Sequence, residues 1–161
     1  MTTNILILCT HNSARSVLSE GMLNHWAKEL RVDVQAYSAG SAPSGRINPM
    51  TIEILQAAGI DSSSYRSKSW NEFTHPDAPQ MRVVITASDS AAQEACPYWP
   101  GTPVKIHWGY PDPSNAGANA KEKRAAFEAT RQALGERMRR LAQVPFGSLN
   151  DAQLRVVLDV L

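Results

Sequence analysis

Residues 4–23 read NILILCTHNSARSVLSEGML, and this stretch decides how the chain is organised. Asn4 to Leu8 is a continuous apolar run, the pattern of a parallel strand covered on both faces. It runs directly into Cys9, reaches Arg15 six positions later, and Ser16 to Leu30 then places Val17, Met22, Leu23 and Trp26 near helical spacing. Ser16 is the expected N-cap of that helix. A strand, a short loop and a helix in immediate succession make the opening unit of a strand–helix alternation.

The rest of the chain continues it. Val32 to Ser38 alternates and ends at Ala39-Gly40, as a second strand would. Asn48-Pro49 opens a helix through Ala58, stopped by Gly59. Met81 to Thr86 reads as a third strand and Val104 to Trp108 as a fourth. Lys121 to Leu141 is the longest helical stretch, with Phe127, Leu134, Met138 and Leu141 as its apolar stripe. There is no internal repeat, linker or low-complexity segment. Alternation with Gly- and Pro-rich connections argues an α/β fold, an open parallel sheet wound by helices, whose ligands bind beyond the carboxyl ends of the strands. Cys9 to Ser16 sits at such an end.

Composition narrows the class. The 161 residues fit one domain, with 43% hydrophobic and 19% charged residues, as in an ordinary globular protein. A net charge of +1 implies no broad basic face for nucleic acid, and the Arg137, Arg139, Arg140 cluster reads as the solvated face of a helix. The first ten residues carry no basic segment, and their apolar run is too short to span a membrane. Two cysteines, Cys9 and Cys96, are too few for a secreted disulfide framework, so a reducing cytoplasm is the expected home.

The loop has a chemical reading beside a bland one. A strand-to-helix turn aims backbone N–H groups inward and adds the positive helix end, so Thr10, His11, Asn12, Ser13, Ala14, Arg15 and Ser16 can cradle a tetrahedral oxyanion. Arg15 can return a bidentate guanidinium fork to the same anion. A cysteine at the mouth of this cradle sees positive potential, which populates the nucleophilic thiolate. Ser16 can donate to the Cys9 sulfur, and Asn12 can brace the loop. The bland alternative is a buried strand-end cysteine beside a surface arginine. A thiolate attacking an oxyanion needs a general acid, and Asp112 in HWGYPDPSNAG (107–117) lies just past the fourth strand. Alone, Asp112-Pro113 reads equally as a turn.

The ordered set CTHNSARS (9–16), YSAG (37–40), ACPYWPG (95–101) and HWGYPDP (107–113) resembles the arsenate reductases of the low-molecular-weight protein-tyrosine-phosphatase-like family over about residues 4 to 141. The resemblance implies a four-stranded parallel sheet flanked by helices on both faces. It makes residues 1–143 the catalytic domain and 144–161 a C-terminal helical extension. Asn150 is the expected cap of a helix there, and Leu154, Val157, Leu158 and Leu161 its apolar stripe, packed on the domain or in a subunit contact. The resemblance also implies Cys9 as nucleophile, Arg15 as anion clamp, Ser16 as thiolate stabiliser and Asp112 as acid. The activity implied is reduction of arsenate through a thiol-arsenate adduct on Cys9, resolved by an external thiol, either glutathione with glutaredoxin or a thioredoxin-type donor. No tightly bound cofactor, metal, nucleic acid or membrane is implied.

Two alternatives stand beside it: a phosphotyrosine phosphatase, and a non-catalytic anion-binding module that would not need the acid. Phosphatases of this fold commonly carry tyrosines directly after Asp-Pro to clamp a phenyl ring. Here Ser114 and Asn115 stand there, although Trp108, Tyr110 and Trp70 could reach the rim. The pattern also departs from relatives with an internal thiol relay. Ser88 stands at or next to the first relay cysteine, while Cys96 fits the second as a possible redox residue. Some relatives bind potassium through an asparagine, a glutamate, a serine and an aspartate. Asn12, Glu20 and Ser38 match these, but Lys68 falls where the aspartate belongs. His11 replaces a glycine of some relatives.

Overall fold

The computed structural model describes residues 1–94 and 96–161. In chain order the elements are β1 (Thr3–Cys9), α1 (Arg15–Glu29), β2 (Val34–Gly40), α2 (Pro49–Ala57), a 3₁₀ turn (Trp70–Phe73), β3 (Val83–Thr86), α3 (Asp89–Gln93), β4 (Val104–His107), a second 3₁₀ turn (Pro113–Asn115), α4 (Ala120–Ala142), a third (Phe146–Ser148) and α5 (Asp151–Asp159). The four strands are parallel in the order β2-β1-β3-β4. The chain leaves β1 to one side for β2 and returns to the other side for β3. The carboxyl end of β1 is therefore the topological switch point, where open parallel sheets bind ligands.

The apolar run of β1 divides its side chains between two cores, as a doubly covered strand must. Ile5 and Ile7 join Val17, Leu18 and Leu23 of α1, Ile54 and Leu55 of α2, Phe127, Leu134 and Met138 of α4, and Leu154 and Leu158 of α5. Leu6 and Leu8 face a thinner layer of Trp70, Phe73, Met81, Val84 and Trp99. Gly135 of α4 lies against Met22 of α1, whose terminal methyl a Cβ there would meet at 2.6 Å.

Four expectations shift, the first being that the third strand starts at Val83 rather than Met81. Ser16 is not the cap of α1, which starts at Arg15 after Ala14 with no side-chain cap, because the Ser16 hydroxyl is engaged with Cys9. The second strand starts at Val34 rather than Val32, since Arg31 at φ 56 turns the chain after α1. The five-residue α3 and the Trp70–Phe73 turn were not expected, being too short to show a period. The caps at Asn48 and Asn150 form as expected, the latter as a capping box with Gln153. Leu154 and Leu158 of α5 pack into the main core of their own chain. No helix among the described residues is long and apolar enough to cross a membrane.

Candidate active site

The loop after β1 keeps its shape because its carbonyls are fastened outward. Thr10 O accepts from Ala42 N (2.9 Å), His11 O from Ser44 N (3.0 Å) and Ser67 Oγ (3.1 Å), and Ser13 O from Asn48 N (3.1 Å) and Thr51 Oγ1 (2.9 Å). No amide from His11 to Ala14 donates to an acceptor among the described residues. With the carbonyls turned out, those N–H groups and the uncapped start of α1 are left for an anion.

Asn12 is the internal brace. It is fully buried at φ 48, a left-handed conformation that Asn tolerates. Its Nδ2 donates to Ser16 Oγ (2.8 Å) and Ser38 Oγ (3.0 Å), and its Oδ1 accepts from Lys68 N (2.9 Å). Ser38 in turn donates to Glu20 Oε1 at 2.6 Å. Because Asn12 donates to Ser16, the serine hydroxyl is free to donate to Cys9 Sγ, 2.9 Å away. Gly40 permits the loop to lie this close: a Cβ there would meet Thr10 O at 2.5 Å.

Burial raises the Glu20 carboxyl pKa above its ordinary value, against the opposing pull of Lys68 and the Ser38 hydrogen bond. Burial likewise lowers Lys68, against the attraction of Glu20. The Lys68 ammonium donates to Arg66 O at 3.0 Å, and its own backbone N–H makes the tie to the loop.

Cys9, His11, Ser13, Ala14, Arg15, Ser44, Asp112 and Ser114 line one cavity of about 310 Å³. Arg15 donates from Nη1 to Tyr110 O (3.0 Å), and its Nη2 lies 3.6 Å from Asp112 Oδ2. The nucleophile, clamp and acid candidates therefore meet across chain separations that only the fold closes. Not all the loop side chains point inward. Thr10 Oγ1 turns toward α3, to Ser90 Oγ (2.5 Å) and Glu94 Oε1 (3.3 Å), while Asn12 and Ser16 face the buried side. Ser44 and Ser114 also line the cavity: Ser44 belongs to no local motif, and Ser114 was noted only as standing where an aromatic clamp would be.

Trp108, Tyr110 and Trp70 do not line the cavity. Trp108 is buried under the Arg137 guanidinium, 4.4 Å from its ring, and Trp70 packs edge-on against Trp99. Tyr110 offers the site only its carbonyl, its hydroxyl accepting from Arg137 Nη1 at 3.2 Å. Arg137 is thus half-buried against aromatics rather than part of a solvated face. Cys96 lies outside the cavity, in a separate pocket with Val84, Thr86, Ala92, Lys105, Ile106 and His107. Ser88 is buried and caps α3, accepting from Ala91 N at 3.2 Å. Ala95, in the stretch between them, lies outside the described residues.

A parallel α/β domain with a cysteine at the carboxyl end of its first strand, sharing one cavity with an arginine and a carboxylate, has the constellation found in cysteine-dependent oxyanion enzymes. The chain belongs to the low molecular weight phosphotyrosine protein phosphatase family, whose model matches residues 4–153. It is 38% identical over 141 residues to an arsenate reductase of Bacillus licheniformis, covering 86% of this chain and 94% of that protein. It is 34% identical over 140 residues to an arsenate reductase of Bacillus subtilis, with the same coverage. The crystal structure of an arsenate reductase from Archaeoglobus fulgidus shares the fold at a TM-score of 0.66 and 21% identity, covering 87% of this chain and 99% of that one.

Proposed function

We propose that the protein reduces arsenate to arsenite with electrons from thiols. The observation that carries this reading is a cavity with a thiol at its base, free amides and Arg15 around it, and, among the described residues, no phenylalanine, tyrosine or tryptophan in its wall. A small inorganic oxyanion fits such a cradle without a clamp, whereas a phenyl ring would find no pair of large aromatic walls to hold it, only the single imidazole of His11. The similarity to arsenate reductases over most of the chain supports the same choice.

In this reading the Cys9 thiolate attacks arsenic, Asp112 protonates the departing oxygen, and Arg15 with the loop amides holds the remaining oxygens. The S–As bond so formed still carries As(V). A second thiolate then attacks Cys9 Sγ, the S–As bond breaks with its electron pair left on arsenic, and arsenite departs as a disulfide forms. Glutathione with glutaredoxin, or a thioredoxin-type protein, would supply the second thiol and re-reduce the enzyme. A phosphoryl adduct on Cys9 could only be hydrolysed, so weak phosphatase activity is compatible with the same residues.

The test is arsenate-dependent consumption of reductant, run in parallel with thioredoxin and with glutathione plus glutaredoxin. Arsenite production with at least one donor is expected. Rapid phosphomonoester hydrolysis with no arsenite from either would replace this reading with the phosphatase one.

A further inference from the structure

The proton delivered by Asp112 must leave from a particular oxygen, and the loop distinguishes the two. Asp112 caps the 3₁₀ turn Pro113–Asn115. Proline has no N–H, so the first amide able to reach back is that of Ser114. Asp112 Oδ1 accepts this amide at 3.0 Å and also the Ser114 hydroxyl at 2.7 Å. A carboxylate oxygen has two in-plane lone-pair directions, and on Oδ1 two donors from one residue compete for them. Among the described residues Oδ2 has no such partner: Arg15 Nη2 is 3.6 Å away, beyond hydrogen-bond distance. Asp112 and Ser114 both line the cavity that holds Cys9.

We propose that Ser114 is a positioning residue for the acid. Its hydroxyl occupies Oδ1, sets the rotamer of Asp112, and leaves Oδ2 as the oxygen that carries the proton toward the leaving group. The inference rests on the reading of Asp112 as general acid. It gives a task to a residue whose position in the chain is otherwise notable only for not being aromatic. A methyl group in place of the hydroxyl leaves the amide bond intact but frees one direction on Oδ1, so that the proton is no longer confined to Oδ2.

The test is a cycle of Ser114→Ala and Ser114→Thr, each made alone and with Asp112→Asn. Arsenate reduction and inhibition by inorganic phosphate are measured for every variant. Ser114→Ala should lower kcat/KM for arsenate by about tenfold, a fraction of what an acid supplies, with the phosphate inhibition constant unchanged. Ser114→Thr, which keeps the hydroxyl, should restore most of the rate and rules out a loss through misfolding. In the Asp112→Asn background, Ser114→Ala should cost no more than about twofold, because two residues that act as a unit are not additive. The same tenfold loss in both backgrounds would overturn the proposal. So would weakened phosphate binding at an unchanged rate, which would make the hydroxyl a direct anion ligand. If Asp112→Asn itself turned over normally, the reading of Asp112 would fall first, and that result is visible without any change at Ser114.

Discussion

Two strand-to-helix junctions lie side by side on this sheet, after β1 and after β3, and they are built in opposite ways. The first is fastened by carbonyl bonds on its outer side and by a fully buried asparagine within. The second, Ser88 to Glu94, is held at its base by the buried Ser88 cap, but its outer ties are exposed or only part-buried. These are Thr10 to Ser90 and Glu94, and a 2.8 Å pair between Asp89 and His107, whose side chains are 84% and 40% exposed. Exposed pairs contribute little to stability. The first junction suits chemistry that needs groups fixed in advance, as oxyanion stabilisation does. The second is less firmly fastened, and Cys96 follows it in the chain.

The largest expected effects break the first junction. Cys9→Ser should abolish arsenate reduction and any phosphatase activity, because a hydroxyl stays protonated where a thiol ionises. Asp112→Asn should keep oxyanion binding and cost about 10² to 10⁴ in turnover. Steady-state assays with phosphate inhibition as the binding readout would separate the two. Normal turnover without the carboxyl would remove Asp112 from the reaction.

Gly40→Ala tests the bracing rather than the chemistry. The added methyl would sit 2.5 Å from Thr10 O and 3.0 Å from both Asn12 N and Cys9 O, all backbone atoms that cannot swing aside. Overpacking of this kind costs about 1 to 3 kcal/mol. Denaturant unfolding should show that loss, accompanied by weaker phosphate binding. A destabilised protein with full affinity for phosphate would mean the loop does not depend on its close seat against β2.

What the sequence disclosed follows the range of the interactions. Cys9 to Ser16 is a local motif on a local strand–loop–helix unit, and Asp112 was found from its place at a strand end. Residues that act through backbone or across space left no such trace. Ser44 reaches the cavity from the segment after β2, and Tyr110 contributes a carbonyl. The aromatic rim failed because nearness in the chain does not say where a ring points: Trp108 turns under Arg137. The reading of Arg137 failed for the matching reason. A planar guanidinium can cover an indole, and helical periodicity assigns it only by its charge.

A smaller effect is expected at the second junction. Ser88 cannot form a disulfide, and Cys96 occupies a pocket of its own beyond the cavity of Cys9. For Cys96 to attack the adduct it would have to leave its own pocket for the cavity of Cys9, and α3 (Asp89–Gln93), which precedes it in the chain, would have to give way. A diffusible thiol needs no such movement. Cys96→Ser should therefore keep most activity with glutathione and glutaredoxin. Mass spectrometry after one turnover without donor provides the check. An intramolecular Cys9–Cys96 disulfide, with activity lost in Cys96→Ser, would show that the junction does open and would favour a thioredoxin-type donor.

The smallest effect concerns the charges beneath the first junction. Glu20, Ser38 and Asn12 form a connected buried set, with Lys68 close enough to pull on the Glu20 carboxylate. Burial raises Glu20, so the stability its neutral form contributes is present at low pH and lost as pH rises through the raised value. A cation bound beside the carboxylate would offset that loss above this range. Lys68 already brings a positive charge there, fixed by its own bond to Arg66 O. Potassium should therefore add nothing that sodium does not, and melting temperatures at equal ionic strength near neutral pH should agree within about 1 °C, a few tenths of a kcal/mol for a domain of this size. In Lys68→Asp the positive charge is lost and a second carboxylate is placed near Glu20, so a preference for potassium should appear. A clear stabilisation of the unaltered protein by potassium over sodium would show that the lysine leaves room for an ion, and that the bracing of the first junction is not complete without one.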